Sequence, residues 1–166
     1  EAIEKLNKID TICFDKTGTI TTGKMKIKNI ISLNGISENE LMRYAFSIER
    51  FSNHPIAKSI NAYSQELDLN LISDVREISD ESGMGISGIV NDKKVIIGNE
   101  KMMKKQGIGI LPAEIKDKSD MLLVSIENKL VGIIEFEDTI REDTKEVVRK
   151  LKNRNLGLYM ISGDNE

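Results

Sequence analysis

Near its amino end the chain reads Ile9-Asp10-Thr11-Ile12-Cys13-Phe14-Asp15-Lys16-Thr17-Gly18-Thr19. The apolar, β-branched run 9–14 predicts a buried strand, and the polar, glycine-bearing residues after it predict a tight loop. A second such run, 156–161, ends at Ser162-Gly163-Asp164, and residues 139–153 before it carry apolar side chains at helical spacing. A helix that leads into a buried strand is half of a β-α-β crossover, which predicts a parallel sheet. Asp15 and Asp164 would then lie at the edge where α/β sheets bind ligands.

Residues between these two runs show a different pattern, with short strands and separate helix signals. Ser37 and Glu40 form a capping box that opens one helix, Pro55 suits the first position of a second, and a short helix is expected at 101–106. The predicted strands are short apolar or alternating runs bounded by turns: 25–33, 75–79, 86–90, 94–97, 121–126 and 130–134. We therefore predict an α+β unit of antiparallel strands and two helices, inserted into the α/β unit with hinges near 21–24 and 133–136.

The composition limits the class of protein. The chain has 166 residues, is 39% hydrophobic, contains one cysteine and carries a net charge of -3. One domain or two small ones can form a core from it, and the near-balanced charge disfavours a nucleic-acid surface. No apolar run approaches the ~18–20 residues that span a bilayer, so this segment is expected to be soluble and intracellular. Cys13 is flanked by Ile12 and Phe14 and is expected in the core, in a reducing compartment.

The loop after the first strand has the residues that phosphoryl transfer needs. Asp15 is placed to act as a nucleophile that forms an aspartyl phosphate, while Lys16 and the loop donors stabilise charge on the phosphoryl oxygens. The carboxylate of Asp15 and the carbonyl of Thr17 are oxygen ligands of the kind that Mg²⁺ binds. The alternative is a solvated turn, since Asp, Thr and Gly are common turn residues.

The string Asp15-Lys16-Thr17-Gly18-Thr19 resembles the phosphorylation signature of P-type ATPases, which are cation pumps of the haloacid dehalogenase superfamily. Other marks follow in the family's order: Ser52-Asn53-His54-Pro55, Gly83-Met84-Gly85, Gly98-Asn99, Asp138-x-x-Arg141 and Ser162-Gly163-Asp164-Asn165. The resemblance, which points to the heavy-metal-transporting branch, implies a phosphorylation domain of haloacid-dehalogenase type formed by residues 1–22 and 134–166. It implies a nucleotide-binding domain at 23–133.

The same resemblance implies the reaction and its cofactors. ATP would phosphorylate Asp15 with Mg²⁺ held by Asp15 and Thr17, and the catalytic set would be Asp15, Lys16, Thr17, Ser162, Gly163 and Asp164. The transported ion, copper or else zinc, cadmium or lead, would be bound in membrane helices outside this sequence. The whole protein would then lie in the cell membrane with this portion on the cytoplasmic side. We expect the fragment to be monomeric and to bind no nucleic acid.

For the nucleotide, the resemblance makes His54 a contact to the adenine of ATP, with Glu49 accepting from its exocyclic amino group. Gly83 and Gly85 would let the backbone approach the nucleotide, and Gly98 and Asn99 would help to order the pocket. The alternatives are a helix-capping or surface histidine and glycines in a hairpin bend. The pattern G-x-G-x-x-G at 83–88 is not a dinucleotide fingerprint, because a strand and a turn follow it in place of a helix. The methionines lack metal-ligand spacing and are expected to fill the core.

Three expectations depend on what the sequence lacks. Thr17 stands where phosphatases of the superfamily carry a second Asp, so a soluble phosphohydrolase is the weaker alternative and the aspartyl phosphate should persist. A binding-only nucleotide module, in which Asp15 is never phosphorylated, also remains open. The chain begins at Glu1 and stops at Glu166 directly after its second polar loop. We therefore expect a segment of a longer protein, one that binds ATP and barely autophosphorylates. Asp138 and Arg141 are expected to open the helix that leads back to the phosphorylation domain; the resemblance implies that they lie near the phosphorylation site, and the alternative is a helix-start acid and a surface Arg without a function.

Overall fold

The computed structural model describes residues 9–109 and 120–161. The chain divides into two compact units, one formed by Glu1–Lys24 with Asp138–Glu166 and one formed by Met25–Glu137. We refer to them as the split unit and the central unit. The division confirms the predicted fold class, in which an α+β unit is inserted into an α/β unit. Both segments expected to be hinges, 21–24 and 133–136, lie inside the long strands β2 (Thr21–Ser32) and β7 (Lys129–Ile140).

The split unit has a parallel strand pair, β1 (Thr11–Asp15) and β8 (Gly157–Ile161), joined through helix α4 (Thr144–Lys152). Thr11 lies opposite Gly157 and Asp15 opposite Ile161, so the predicted parallel arrangement of these strands is confirmed. The predictions that the first strand is buried and that Cys13 lies in the core are wrong. Cys13 is exposed because the sheet has two strands in the described residues and α4 packs beside β8, which leaves one side of β1 uncovered.

The predicted helix at 139–153 begins later than expected. Residues 139 and 140 end β7, and the helix starts at Thr144 with Asp143 as its N-cap residue. β-branched side chains such as Thr139 and Ile140 suit an extended strand better than the first turn of a helix. Asp138 therefore lies within a strand and does not open the helix as expected.

The central unit contains a six-stranded antiparallel sheet in the order β2-β7-β6-β5-β4-β3. Its other strands are β3 (Val75–Glu81), β4 (Gly85–Val90), β5 (Lys93–Gly98) and β6 (Met121–Ile126). Three helices accompany it: α1 (Glu38–Glu49), α2 (Pro55–Glu66) and the short α3 (Glu100–Lys105). These elements match the predicted order of helices and hairpins, and the Ser37 hydroxyl accepts from the Glu40 amide at 3.2 Å, as the capping box predicts.

The sheet has apolar side chains on both faces. Successive β5 residues alternate between two core clusters: Val95 and Ile97 pack with α1 and α2, whereas Ile96 packs with α3. This is the period of two that a strand imposes. Met102 and Met103 of α3 are buried in the second cluster, as predicted for the methionines, whereas Met160 of β8 is 60% exposed and does not fill the core. No helix in the described ranges is long and apolar enough to cross a membrane.

Candidate functional site

The first candidate site is the loop that follows β1 in the split unit. Asp15 is exposed at the carboxyl end of the strand, and Lys16–Ile20 form one wide turn that closes when the Thr21 amide donates to the Lys16 carbonyl. Gly18 adopts a φ of 81°, a left-handed conformation that is costly for residues with a Cβ. The predicted partners Ser162, Gly163 and Asp164 lie outside the described residues.

Side-chain hydrogen bonds hold the turn in place, and the sequence indicated only some of the residues that make them. The Thr21 hydroxyl lies 2.5 Å from Asp138 Oδ2 and accepts from the Gly18 amide at 3.2 Å. The Arg141 guanidinium donates to the Gly18 carbonyl at 2.9 Å and to the Thr21 carbonyl at 3.2 Å. Thr144 donates to the Ile20 carbonyl at 3.0 Å. Asp138 and Arg141 therefore shape the loop from one side, while Thr21 and Thr144 gave no signal beyond their polarity.

Replacing Arg141 by alanine is expected to loosen this turn without unfolding the chain. Two hydrogen bonds to loop carbonyls are lost, and each contributes about 1 kcal/mol. Amide exchange in residues 16–21, followed by NMR, should therefore rise roughly 30-fold through local opening. Arg149→Ala, on the exposed surface of α4, is the matched control and should leave these amides unchanged. Equal exchange in the two variants would show that Arg141 does not hold the turn.

Asp15 and Thr17 fit the predicted magnesium site in donor chemistry. The Asp15 carboxylate is exposed and makes no hydrogen bond with the described residues, so both of its oxygens are accessible. A carboxylate oxygen and a backbone carbonyl are ligands that Mg²⁺ accepts. Within 9–109 and 120–161 no group of three or more His, Cys, Asp or Glu side chains is arranged to hold a metal ion. The described residues thus offer two ligands.

The second candidate site is a cleft of about 650 Å³ in the central unit, a volume typical of small-molecule sites. It lies between the end of α1, the start of α2, the turn that joins β3 to β4, and the start of β6. The described residues that line it are Glu49, Ser52–Ile56, Asp80–Ile86, Asn99 and Asp120–Leu122. Five of the six residues predicted to bind nucleotide are among them, and Gly98 is not.

His54 both caps a helix and lines the cleft. Its Nδ1 accepts from the Ile56 amide at 3.3 Å as the N-cap of α2, with Pro55 at the first helical position. An imidazole that accepts at Nδ1 carries its proton on Nε2 when neutral. The capping role and a ligand contact are therefore compatible, because each uses a different ring nitrogen.

Glu49 is the most buried carboxyl group in the cleft lining. It ends α1 and is 4% exposed. Burial, followed by the negative charge of Asp80, raises the pKa of Glu49 to about 7. The side chain therefore holds its proton through mildly acidic conditions. Sequence reasoning missed Asp80 and Asp120, because acidic residues at strand ends are too common to stand out.

The cleft wall formed by the turn between β3 and β4 depends on close backbone packing against the end of β5. A Cβ at Gly85 would lie 2.1 Å from the Ile97 carbonyl oxygen, and one at Gly98 would lie 2.4 Å from the Met84 carbonyl oxygen. Asn99 donates from its backbone to the Met84 carbonyl at 2.9 Å and from its side chain to the Gly83 carbonyl at 2.8 Å. Gly85 and Gly98 thus allow the chain to approach itself, whereas a Cβ at Gly83 would meet open space.

Comparisons with known proteins show the family to which the chain belongs. A family model described as haloacid dehalogenase-like hydrolase matches residues 9–166. The chain is 31% identical over 172 residues to the silver exporting P-type ATPase of Salmonella typhimurium. It is 32% identical over 174 residues to the copper-transporting P-type ATPase of Rhizobium leguminosarum bv. viciae. Both alignments cover 100% of this chain but 21% and 20% of those proteins, so the chain spans about a fifth of the curated relatives it matches.

A similar solved structure comes from work on conformational changes in the catalytic domain of the CPx-ATPase CopB-B upon nucleotide binding. Its TM-score is 0.77 at 29% identity, covering 99% of this chain and 58% of that one. Because the family model spans residues 9–166 and the relatives align along the whole chain, this protein belongs to the haloacid dehalogenase-like hydrolases and is homologous to the catalytic domains of heavy-metal P-type ATPases.

Proposed function

We propose that this chain is the ATP-binding catalytic portion of a heavy-metal cation-transporting P-type ATPase. The central unit is the nucleotide-binding domain, and the split unit is the phosphorylation domain. The proposal is supported by the cleft that Glu49, His54 and the Gly83–Gly85 turn line. In a space of about 650 Å³ it brings together an imidazole that can donate, a buried carboxyl group and exposed backbone. The CopB-B catalytic domain, a structural relative, was studied upon nucleotide binding.

The cleft suits adenine by polar recognition. Nε2–H of His54 is available to a purine nitrogen because Nδ1 already accepts from the Ile56 amide. Glu49 offers carboxyl oxygens that no described residue engages. Gly83 leaves room beside the turn for a flat ring to approach the backbone.

Asp15 is the proposed acceptor of the phosphoryl group. One carboxylate oxygen attacks the γ-phosphorus of ATP, the bond between that phosphorus and the bridging oxygen breaks, and ADP leaves. Lys16, Ser162, Gly163 and Asp164 complete the proposed catalytic set. Mg²⁺, held by Asp15 and Thr17, would supply positive charge beside the phosphoryl oxygens. Thr17 has no acid or base strength near neutral pH, so the aspartyl phosphate is expected to persist, which separates a pump from a phosphohydrolase.

The cargo is proposed to be copper, and silver or zinc remain alternatives. The two relatives described above carry names for silver and for copper, although they match this chain equally well. The ion would bind in a membrane domain outside this sequence, with the described units on the cytoplasmic side. The metal therefore has to be identified from that domain.

The proposal is tested by measuring the affinity of the purified chain for ATP before and after substitution of His54. Isothermal titration calorimetry should detect ATP binding, and His54→Ala should weaken it by ~5- to 150-fold, the equivalent of ~1–3 kcal/mol for one lost polar contact. Because alanine also removes the N-cap, His54→Asn is the better variant: asparagine can cap α2 but lacks the imidazole.

The two variants separate the roles of His54. His54→Asn should unfold at the same temperature as the unmodified chain and still lose ATP affinity. A His54→Asn chain that binds ATP as tightly as the unmodified chain would restrict His54 to capping. No ATP binding at all would remove the proposed function.

A further inference from the structure

Thr21 is the most deeply buried residue that the structure describes in the split unit. It is 3% exposed, whereas the other described residues of that unit are half-buried or exposed. Its hydroxyl group lies among three polar groups: the Gly18 amide at 3.2 Å, the Lys16 carbonyl at 3.0 Å and Asp138 Oδ2 at 2.5 Å. Because hydrogen bonds are directional, this buried hydroxyl fixes the orientation of the groups that it bonds.

The Thr21 hydroxyl has one proton to donate, and Asp138 is the acceptor that takes it. A separation of 2.5 Å between the two oxygens is that of a hydroxyl donating to a carboxylate, which is a stronger bond than one between neutral groups. The Lys16 carbonyl accepts from the Thr21 amide. Asp138 Oδ1 is buried and has no partner among the described residues, so Thr21 is the partner that orients this carboxylate. The lone pairs of the Thr21 oxygen are thereby left for the Gly18 N–H.

The hydrogen bond from Gly18 to Thr21 determines where the Thr17 carbonyl points. The Thr17 C=O and the Gly18 N–H belong to one peptide group, which is planar and trans, so they point in opposite directions. Thr17 has φ −77° and ψ 121°, and Gly18 has φ 81° and ψ −13°. These are the angles of the two central residues of a type II turn, whereas a type I turn has the same peptide group flipped. The bond to Thr21 therefore holds the Thr17 carbonyl on the side away from Thr21.

We propose that Thr21 is a positioning residue for the magnesium ion of the phosphorylation site. Its hydroxyl, oriented by Asp138, holds the Thr17–Gly18 peptide group in the type II orientation, which keeps the Thr17 carbonyl directed outward as a ligand. The inference rests on the proposed binding of Mg²⁺ by Asp15 and Thr17, and it adds the residue that sets the direction of one ligand. Gly18 contributes because a type II turn requires a positive φ at this position.

The first measurement needs no metal and uses the full chain. Thr21→Val keeps the shape of the side chain and removes its hydroxyl, so exchange of the Gly18 amide, followed by NMR, should rise roughly fivefold. Thr21→Ser keeps the hydroxyl and should restore protection to within about twofold. Thr22→Val is the matched control, because the Thr22 hydroxyl accepts from the Lys24 amide outside the turn.

The second measurement is a titration of the chain with MgCl₂, followed through the amide chemical shifts of residues 15–18. The unmodified chain should show a saturable change that Asp15→Asn abolishes. Thr21→Val should weaken the Mg²⁺ affinity roughly five- to tenfold, because the peptide group can then flip, and Thr21→Ser should restore it. A role in stability alone would lower the urea midpoint of Thr21→Val and leave the Mg²⁺ affinity of the folded chain unchanged.

Two glycines give an independent pair of variants that decides the matter if Thr21→Val does not fold. A Cβ at Gly18 would meet no atom within 4 Å, so Gly18→Ala acts only through its φ of 81° and favours the flipped peptide group. Its Mg²⁺ affinity should fall by a similar factor. Gly23→Ala is the matched control: Gly23 has a φ of 70° and open space around it, but it lies in β2 beyond the turn. Its Mg²⁺ affinity should not change.

The outcomes separate this inference from the function on which it rests. The inference fails if Thr21→Val binds Mg²⁺ as tightly as the unmodified chain, even where its Gly18 amide exchanges faster. It also fails if Thr21→Ser is as weak as Thr21→Val, or if Gly18→Ala and Gly23→Ala bind Mg²⁺ equally. An unmodified chain without a Mg²⁺-dependent change at Asp15 would remove the proposed magnesium site as well, whereas ATP binding in the cleft is measured separately by calorimetry.

Discussion

Replacing Gly85 by alanine is expected to disrupt the packing of β4 against β5 beside the cleft and to abolish nucleotide binding. Its φ of 151° is in the region that favours glycine, and a Cβ would lie 2.1 Å from the Ile97 carbonyl oxygen and 2.5 Å from Gly98 Cα. Both atoms are backbone of β5, so the strand itself must move. Overpacking and backbone strain together should cost about 3–5 kcal/mol of unfolding free energy, measurable by urea denaturation followed by circular dichroism.

Gly83→Ala is the matched control for this prediction. Gly83 also has a positive φ, at 72°, but a Cβ there would meet no atom within 4 Å. Only the strain of a left-handed backbone conformation remains, so the free energy of unfolding should fall by about 1–2 kcal/mol. Equal losses in the two variants would show that the approach of β4 to β5 at Gly85 does not limit stability.

The second large effect is a pH-dependent gain in stability from Glu49→Gln. Burial raises the pKa of Glu49 from the ordinary 4.5 to about 7, so between these values the folded state retains a proton that the unfolded state has released. The contribution of Glu49 to the free energy of unfolding is fully present below pH 4.5 and is lost as the pH rises through about 7. Glutamine cannot ionise, so the variant should exceed the unmodified chain by roughly 2–3 kcal/mol at pH 8.

Urea unfolding at pH 5 and pH 8 tests the predicted direction of this stability change. The difference between Glu49→Gln and the unmodified chain should be small at pH 5 and large at pH 8. Glu66→Gln is the control, since Glu66 ends α2 as Glu49 ends α1 but is exposed. A gain at pH 8 no larger than that of the control would mean that Glu49 is solvated in the folded chain.

The predictions that succeeded depended on local signals. Ser37 and Pro55 mark helix starts because capping and a preset φ act within one turn. The hairpin around Asn91-Asp92 follows from turn residues between two apolar runs, and both residues do adopt positive φ. The parallel pairing of β1 with β8 followed from the crossover pattern alone.

The predictions that failed depended on what surrounds an element. Cys13 looks buried from its neighbours but is exposed, because burial depends on the layers packed over a strand. Residues 139–140 have helix-compatible spacing, yet they continue β7, because their β-branched side chains suit the extended strand that the sheet holds in place.

The sequence by itself determined the order of helices and hairpins, the parallel edge that carries Asp15 and the positions of the cleft residues Glu49 and His54, because short-range backbone chemistry and motif spacing encode them. The tertiary structure alone decided that Arg141 and Asp138 hold the turn after Asp15, that Gly85 and Gly98 are needed for strand packing, and that burial raises the pKa of Glu49. Those properties arise from distances and burial between residues far apart in the chain, which no local pattern records.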